Sequence, residues 1–144
     1  MPPARAGQDH PILPILQLSL APTVTAPARA RAAVTAWLGK QSRDDVLVEI
    51  AVLLVSELVT NSVRHARLSD GEPLRLSASL RGATLYLELW DNGTGGSVTR
   101  RAPDPRDEAA GGFGLSLVAQ LSEDWGVERD SDGTTVWLEL PARA

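Results

Sequence analysis

No cysteine occurs in the 144 residues, and lysine occurs once, at Lys40. The first absence removes disulfides, thiol catalysis and Cys-type zinc sites together. The second removes whole classes of nucleotide enzyme. A Walker loop requires G-x-x-x-x-G-K followed by Ser or Thr. Around Lys40 the chain has Val34 in place of the first glycine and Gln41 in place of the hydroxyl. A eukaryotic-type protein kinase requires a catalytic lysine and an H-R-D loop on a longer chain, and neither motif is present. Histidine is nearly as scarce, with His10 in a proline-rich stretch and His65 in an apolar one. Positive charge is in deficit as well. A net charge of −4 gives no broad attraction for nucleic acid or anionic lipid, so neither a nucleic-acid nor a membrane partner is expected. The apolar run within MPPARAGQDHPILPIL is too short and too broken by proline for a signal-peptide core or a membrane span. A cytoplasmic location is expected.

What is present is the composition of a soluble globular chain, 43% apolar and 22% charged, of a size for one domain. Six of the ten prolines fall in the first 27 residues, so residues 1–14 are expected to form a loose arm ahead of a single domain over 15–144. ILQLSLA (15–21) alternates as a strand, and Pro22 and Thr23 break it. An Ala/Arg-rich helix follows over 26–40, ending at Gly39. Ser42 or Asp44 can cap the next helix, Val46–Ala66. PLRLSASL (73–80) and TLYLELWD (84–91) read as strands joined by a turn, FGLSLVAQLSE (113–123) as a short helix, and WGVERD-SDGT-TVWLELP as a closing hairpin. This order predicts an α+β fold, a two-layer α/β sandwich with a mixed sheet and helices on one face.

Within LLVSELVTNSVRHA (53–66), Glu57, Asn61 and His65 recur every four residues. At helical spacing Leu47, Ile50, Ala51, Leu54 and Leu58 form one apolar side; Asn61 and His65 project into that arc, with Glu57 at its edge. A carboxylate buried there without partners would cost several kcal/mol, roughly, or stay protonated. Two readings follow. Either the helix end leaves the core and the three are solvated or locally paired, or they floor a cavity. Glycines bear on the choice, because six of the twelve lie between Gly93 and Gly114. The strand 84–91 ends in D-N-G-T-G, which puts an acid at its C-terminal end with Gly93 and Gly95 behind it. Such an acid can accept from an exocyclic amine, and the glycines allow a flat ring to approach the backbone. Gly111-Gly112-Phe113-Gly114 opens into a helix, where free N–H groups and the helix dipole suit phosphate. A dinucleotide fingerprint is excluded, since GGFGLSL lacks the third glycine and no early strand precedes it.

E-L-V-T-N (57–61), D-N-G-T-G (91–95) and G-F-G-L (112–115), in that order, resemble the N, G1 and G2 boxes of the GHKL ATPase superfamily. Chain length and the wording ELVTNSVRHA are most similar to its anti-sigma factor serine/threonine kinase branch. The likeness runs from about residue 15 onward and implies the Bergerat-type ATP-binding fold, with ATP and Mg²⁺ as cofactors. It further implies that Asn61 coordinates Mg²⁺, which keeps water and phosphate oxygens as its other ligands, and that Glu57 is the general base for an attacking hydroxyl. The likeness likewise implies that Asp91 reads the adenine amine, that Gly93 and Gly95 permit close approach, and that Gly112 and Gly114 present N–H groups to phosphate. Thr134 or Thr135 supports Asp91 through water. By the same likeness residues 96–111 would form the ATP lid, from which Arg100, Arg101 or Arg106 could reach the γ-phosphate. For His65 a helix-end structural role is expected, with phosphate contact as the alternative.

The gyrase, chaperone and mismatch-repair branches are expected to need further domains. A histidine kinase needs a phosphoacceptor histidine on a dimerisation helix, and neither His10 nor His65 fits. The remaining expectation is a protein serine/threonine kinase that phosphorylates a small antagonist protein and sequesters a sigma factor, with a homodimer by analogy. An ATP-sensing module without phosphotransfer is the alternative, and a scaffold whose glycines are mere loops is a third.

Overall fold

The computed structural model describes residues 15–65, 72–93 and 113–142. Residues 1–14, expected as an arm, Gly95, residues 96–111, expected as a lid, and Gly112 lie outside these. The described elements run β1 (Ile15–Leu20), α1 (Ala26–Gln41), α2 (Asp45–His65), β2 (Leu74–Arg81), β3 (Thr84–Asp91), α3 (Phe113–Leu121), β4 (Asp124–Arg129) and β5 (Thr134–Pro141).

Helix α1 starts where Pro27 sits in the first turn, a position at which the missing N–H costs nothing. It buries one four-residue row, Ala26, Ala30, Val34 and Leu38, whose small members let α2 come close. The helix does not stop at Gly39. It continues to Gln41 and ends when Ser42 turns extended (φ −143°, ψ 146°), with the Ser42 N–H bonded to the Leu38 carbonyl at 2.9 Å. Gly39 has open space around it and no left-handed backbone demand, so it ends nothing. Asp44 is the cap of α2: its Oδ1 accepts from the Leu47 N–H at 3.1 Å, and Ser42 Oγ in turn accepts from the Asp44 N–H at 3.1 Å.

Over Asp45–Arg64, α2 is long and apolar enough to cross a bilayer by length and composition alone. In this fold its apolar arc is taken up by the sheet and α1. Leu47, Ala51, Leu54, Val55, Leu58 and Val59 are all buried. An exposed bond from Arg31 Nη1 to Ser56 Oγ, 2.8 Å, ties α1 across to α2.

The sheet order is β1-β2-β3-β5-β4, and every adjacent pair is antiparallel. The expected mixed sheet is therefore antiparallel throughout. With two antiparallel helices between β1 and β2 the chain reverses three times, so β2 returns antiparallel to β1. The single helix between β3 and β4 makes those two strands co-directional, but β5 inserts between them and pairs antiparallel with both. All three helices pack on one face, where Leu85, Leu87 and Leu89 of β3 meet Leu76 and Ala78 of β2 and Val136, Leu138 and Leu140 of β5. The fold is the expected two-layer α+β sandwich.

The opposite face carries an aromatic layer. Tyr86 and Trp137 stack with centroids 6.3 Å apart; Arg81 lies over Tyr86 and Arg75 over Trp90, at 4.5 and 5.3 Å from the ring centres. Glu88 sits among them, accepting from the Tyr86 hydroxyl (3.1 Å) and the Ser77 hydroxyl (3.3 Å). Burial pushes its carboxyl above the usual range, with Tyr86, Ser77 and Arg81 opposing.

Leu54 is wholly buried, whereas its neighbour Leu53 is 41% exposed. Leu54→Ala should lower unfolding free energy by about 2–5 kcal/mol through lost burial and a residual cavity. Leu53→Ala should stay within about 1 kcal/mol. Urea denaturation of both separates them, and equal losses would mean that α2 is rotated relative to this packing.

Candidate functional site

The site is built where the C-terminal ends of α2 and β3 converge. Asp91 is the last residue of β3 and points to the helical side of the sheet, continuing the row Leu85, Leu87, Leu89. It is 8% exposed. Its Oδ1 accepts the Gly93 N–H at 2.8 Å, closing a tight Asx-type turn over D-N-G. Its Oδ2 accepts the Ser62 hydroxyl of α2 at 3.0 Å. Burial raises the carboxyl above its ordinary value, opposed by the Gly93 N–H, the Ser62 hydroxyl and the positive charge of Arg129.

Thr134 begins β5 directly opposite Asp91 in the ladder. The likeness implied that it supports Asp91 through water; here its buried hydroxyl donates to the Gly93 carbonyl at 2.7 Å. It thus holds the turn that follows Asp91. Thr135 belongs to the outer face, opposite Trp90.

Glu57 and Asn61 are half-buried and lie one turn apart on α2, a spacing that brings side chains side by side. Asn61 immediately precedes Ser62, so the helix that would carry metal and base is the helix that grips Asp91. The buried arc is turned further toward Val55 and Val59 than the sequence suggested. Asn61 and Glu57 therefore flank it, and Ser62 takes its centre. Of His65 only the helical backbone is described. Gly114 lies in the first turn of α3, where helix N–H groups have no partner within the helix. Gly95, Gly112, Arg100, Arg101 and Arg106 fall outside the described residues.

Two contributors were missed from sequence. Ser62 follows Leu58 by four residues and Val55 by seven, so a hydroxyl stands where the apolar period calls for Leu or Val; that signal was available. Gly133, in the turn after β4, was not recognisable. A Cβ there would overlap the Asp91 carbonyl oxygen and come within 2.8 Å of Trp90 Nε1. Only the β3–β5 register brings these groups together.

The arrangement fits the adenine end of a nucleotide. A buried carboxylate with one donor on each oxygen keeps acceptor capacity for an amine, and the adjoining backbone at Gly93 is buried without a side chain in the way. The model for the histidine kinase-like ATPase domain matches residues 20–140. The chain belongs to this family. Domains of this kind bind ATP with Mg²⁺. No curated protein sequence matches it. Among solved structures, it is similar to the RsbU and RsbW domains of Rv1364c from Mycobacterium tuberculosis, with 24% identity and a TM-score of 0.67 over 90% of this chain and 33% of that one. The blue-light activated histidine kinase EL346 of Erythrobacter litoralis is 29% identical, with a TM-score of 0.46, over 65% of this chain and 30% of that one. The chain thus spans about a third of the length of each.

Asp91→Asn should weaken ATP binding by about 1–3 kcal/mol, since a charged acceptor becomes a neutral amide. Calorimetric titration reads it, and undiminished affinity would leave Asp91 as a strand-end structural residue. Gly133→Ala should force the strand end aside, weakening ATP binding and lowering stability by about 1–3 kcal/mol. Should it bind and melt like the parent, the hairpin yields without displacing Asp91.

Proposed function

We propose that the protein is an ATP- and Mg²⁺-dependent serine/threonine protein kinase of the anti-sigma factor type. In this reading it acts in the cytoplasm on a small antagonist protein and sequesters a sigma factor. The carrying observation is the sequence Glu57, Asn61, Ser62 on one helix, with Ser62 bonded to Asp91. A single rigid element then fixes the distance between the end that reads the base and the end that meets the phosphates. Family membership supports nucleotide binding. The fold likeness to a protein described as containing an RsbW domain supports the choice of branch, as does the wording of residues 57–66.

Bound ATP with Mg²⁺ supplies an activated phosphoryl group. Everything else falls to the chain's own residues. Asp91 accepts from the adenine amine, and its hydrogen bonds orient it for that task. Asn61 offers one amide oxygen to the metal, enough for an ion that retains water and phosphate oxygens. Glu57 orients the attacking hydroxyl and takes up its proton at a carboxylate oxygen. Gly114, in the first turn of α3, would offer its backbone N–H to the phosphates, and the family likeness gives Gly112 the same part. Keeping an acid beside the metal ligand suits transfer better than mere sensing, since a sensor has no use for a base.

Glu57→Gln preserves size and polarity. It should leave ATP affinity nearly unchanged while slowing turnover by about 10²–10⁴-fold. Slow hydrolysis of ATP to water is the assay that requires no partner. Turnover at the parent's rate removes Glu57 as base. A parent that binds ATP but transfers phosphate neither to water nor to its cognate partner is an ATP-sensing module. A parent that fails to bind millimolar ATP with Mg²⁺ overturns the nucleotide reading itself.

A further inference from the structure

We infer that Ser62 is a specificity-determining residue of the pocket: its hydroxyl, donated to Asp91 Oδ2, keeps that carboxylate an acceptor and so selects adenine over guanine. The inference rests on the nucleotide-binding reading above.

The two purines differ at one edge. Adenine presents an amine at position six, which donates; guanine presents an oxygen there, which accepts. An ionised carboxylate has only acceptor sites, so it pairs with the first and repels the second. A protonated carboxyl has an O–H and can donate to the guanine oxygen. Base choice at this position is therefore a question of whether Asp91 holds its proton.

Burial works toward protonation, because Asp91 is 8% exposed at the end of a central strand. Three groups oppose it. The Gly93 N–H belongs to the turn itself and is present whenever D-N-G adopts this conformation. Arg129 on β4 is exposed, so solvent screens its field. Ser62 is, among the described residues, the one side chain that donates a hydrogen bond to the carboxylate, and it does so at 3.0 Å from half-buried surroundings. Among the described residues, the other elements around Asp91 add no competing charge. The Thr134 hydroxyl of β5 is committed to the Gly93 carbonyl, β2 and β3 present Leu76, Ala78, Leu87 and Leu89 to this side, and α3 carries no titratable residue. From α2, Glu57 and Asn61 lie on the flank rather than beneath Asp91.

A purely structural role is the competing account, because alanine would also fill this place on α2. The experiment compares the parent, Ser62→Ala and Ser62→Thr for ATP and GTP affinity between about pH 5 and pH 8, alongside carbon-detected NMR titration of the Asp91 carboxyl in nucleotide-free protein. Loss of a donor to a charged group should raise the Asp91 midpoint by about one pH unit in Ser62→Ala. The pH at which ATP preference declines should move up with it, with a preference about tenfold lower just above the parent's midpoint. Ser62→Thr keeps the hydroxyl and should restore the parent's profile. If Ser62→Ala leaves both the Asp91 midpoint and the ATP:GTP ratio where the parent has them, Ser62 is a filler and the inference is wrong. An equal loss of both nucleotides at every pH, with an unmoved midpoint, rejects it as well. A parent that binds neither nucleotide removes the reading on which it rests, a result distinct from an unmoved ratio in a parent that binds.

Discussion

Asp91 is a carboxylate set at the end of a central strand, almost out of contact with water, and burying such a group unpaired costs several kcal/mol, roughly. The fold answers with donors drawn from separate places in the chain. The Gly93 N–H comes from the next turn and the Ser62 hydroxyl from the last turn of α2. Thr134 fixes the turn from β5, and Gly133 clears room for the Asp91 backbone. Each depends on the others. A small rotation of α2 takes Ser62 away, and a one-residue slip of β5 turns Thr134 to the outer face.

The two faces of the sheet divide the labour. The helical face is almost pure aliphatic packing, wholly buried Leu20, Leu38, Leu54, Leu74, Leu85 and Leu138 among it, so it holds α2 rigidly against the strands. The outer face has no helix among the described residues and is built from rings under guanidinium groups, with Glu88 bonded among them. The polar chemistry assigned to nucleotide lies on the helical side, at the strand end where the aliphatic packing stops.

The architecture was largely legible in the sequence because it rests on periodicity. Alternation in 73–91 and 134–141 and the long apolar arc of 46–66 have only a few compact solutions. The motif residues were legible because their chemistry is misplaced in a core: an acid ending an apolar strand, an acid and an amide flanking an apolar helix. What escaped depended on register or on direction. The antiparallel outcome follows from β5 inserting beside β3, which no local pattern specifies. Gly39 looked like a helix stop, yet a glycine ends a helix only where the backbone turns left-handed, and here Ser42 makes the exit. The direct bond of Thr134 to the Gly93 carbonyl was not legible either, since it depends on the β3–β5 register that sets Thr134 opposite Asp91.

The insertion of β5 between β3 and β4 also sets an order of assembly. Asp91 cannot acquire its opposite number until Thr134 is in place, some forty residues later in the chain and with a helix and a strand between. During synthesis the N-terminal portions emerge first and can begin to organise. The central strand pairing must nonetheless wait for the last strand, and closing so long a loop is slow relative to local hairpin formation. A nascent chain halted before residue 134 would carry α2 and Asp91 yet lack the strand that pairs opposite that acid. The corner that joins Asp91, Gly93 and Thr134 thus closes in one late step, after every other strand of the sheet has been made.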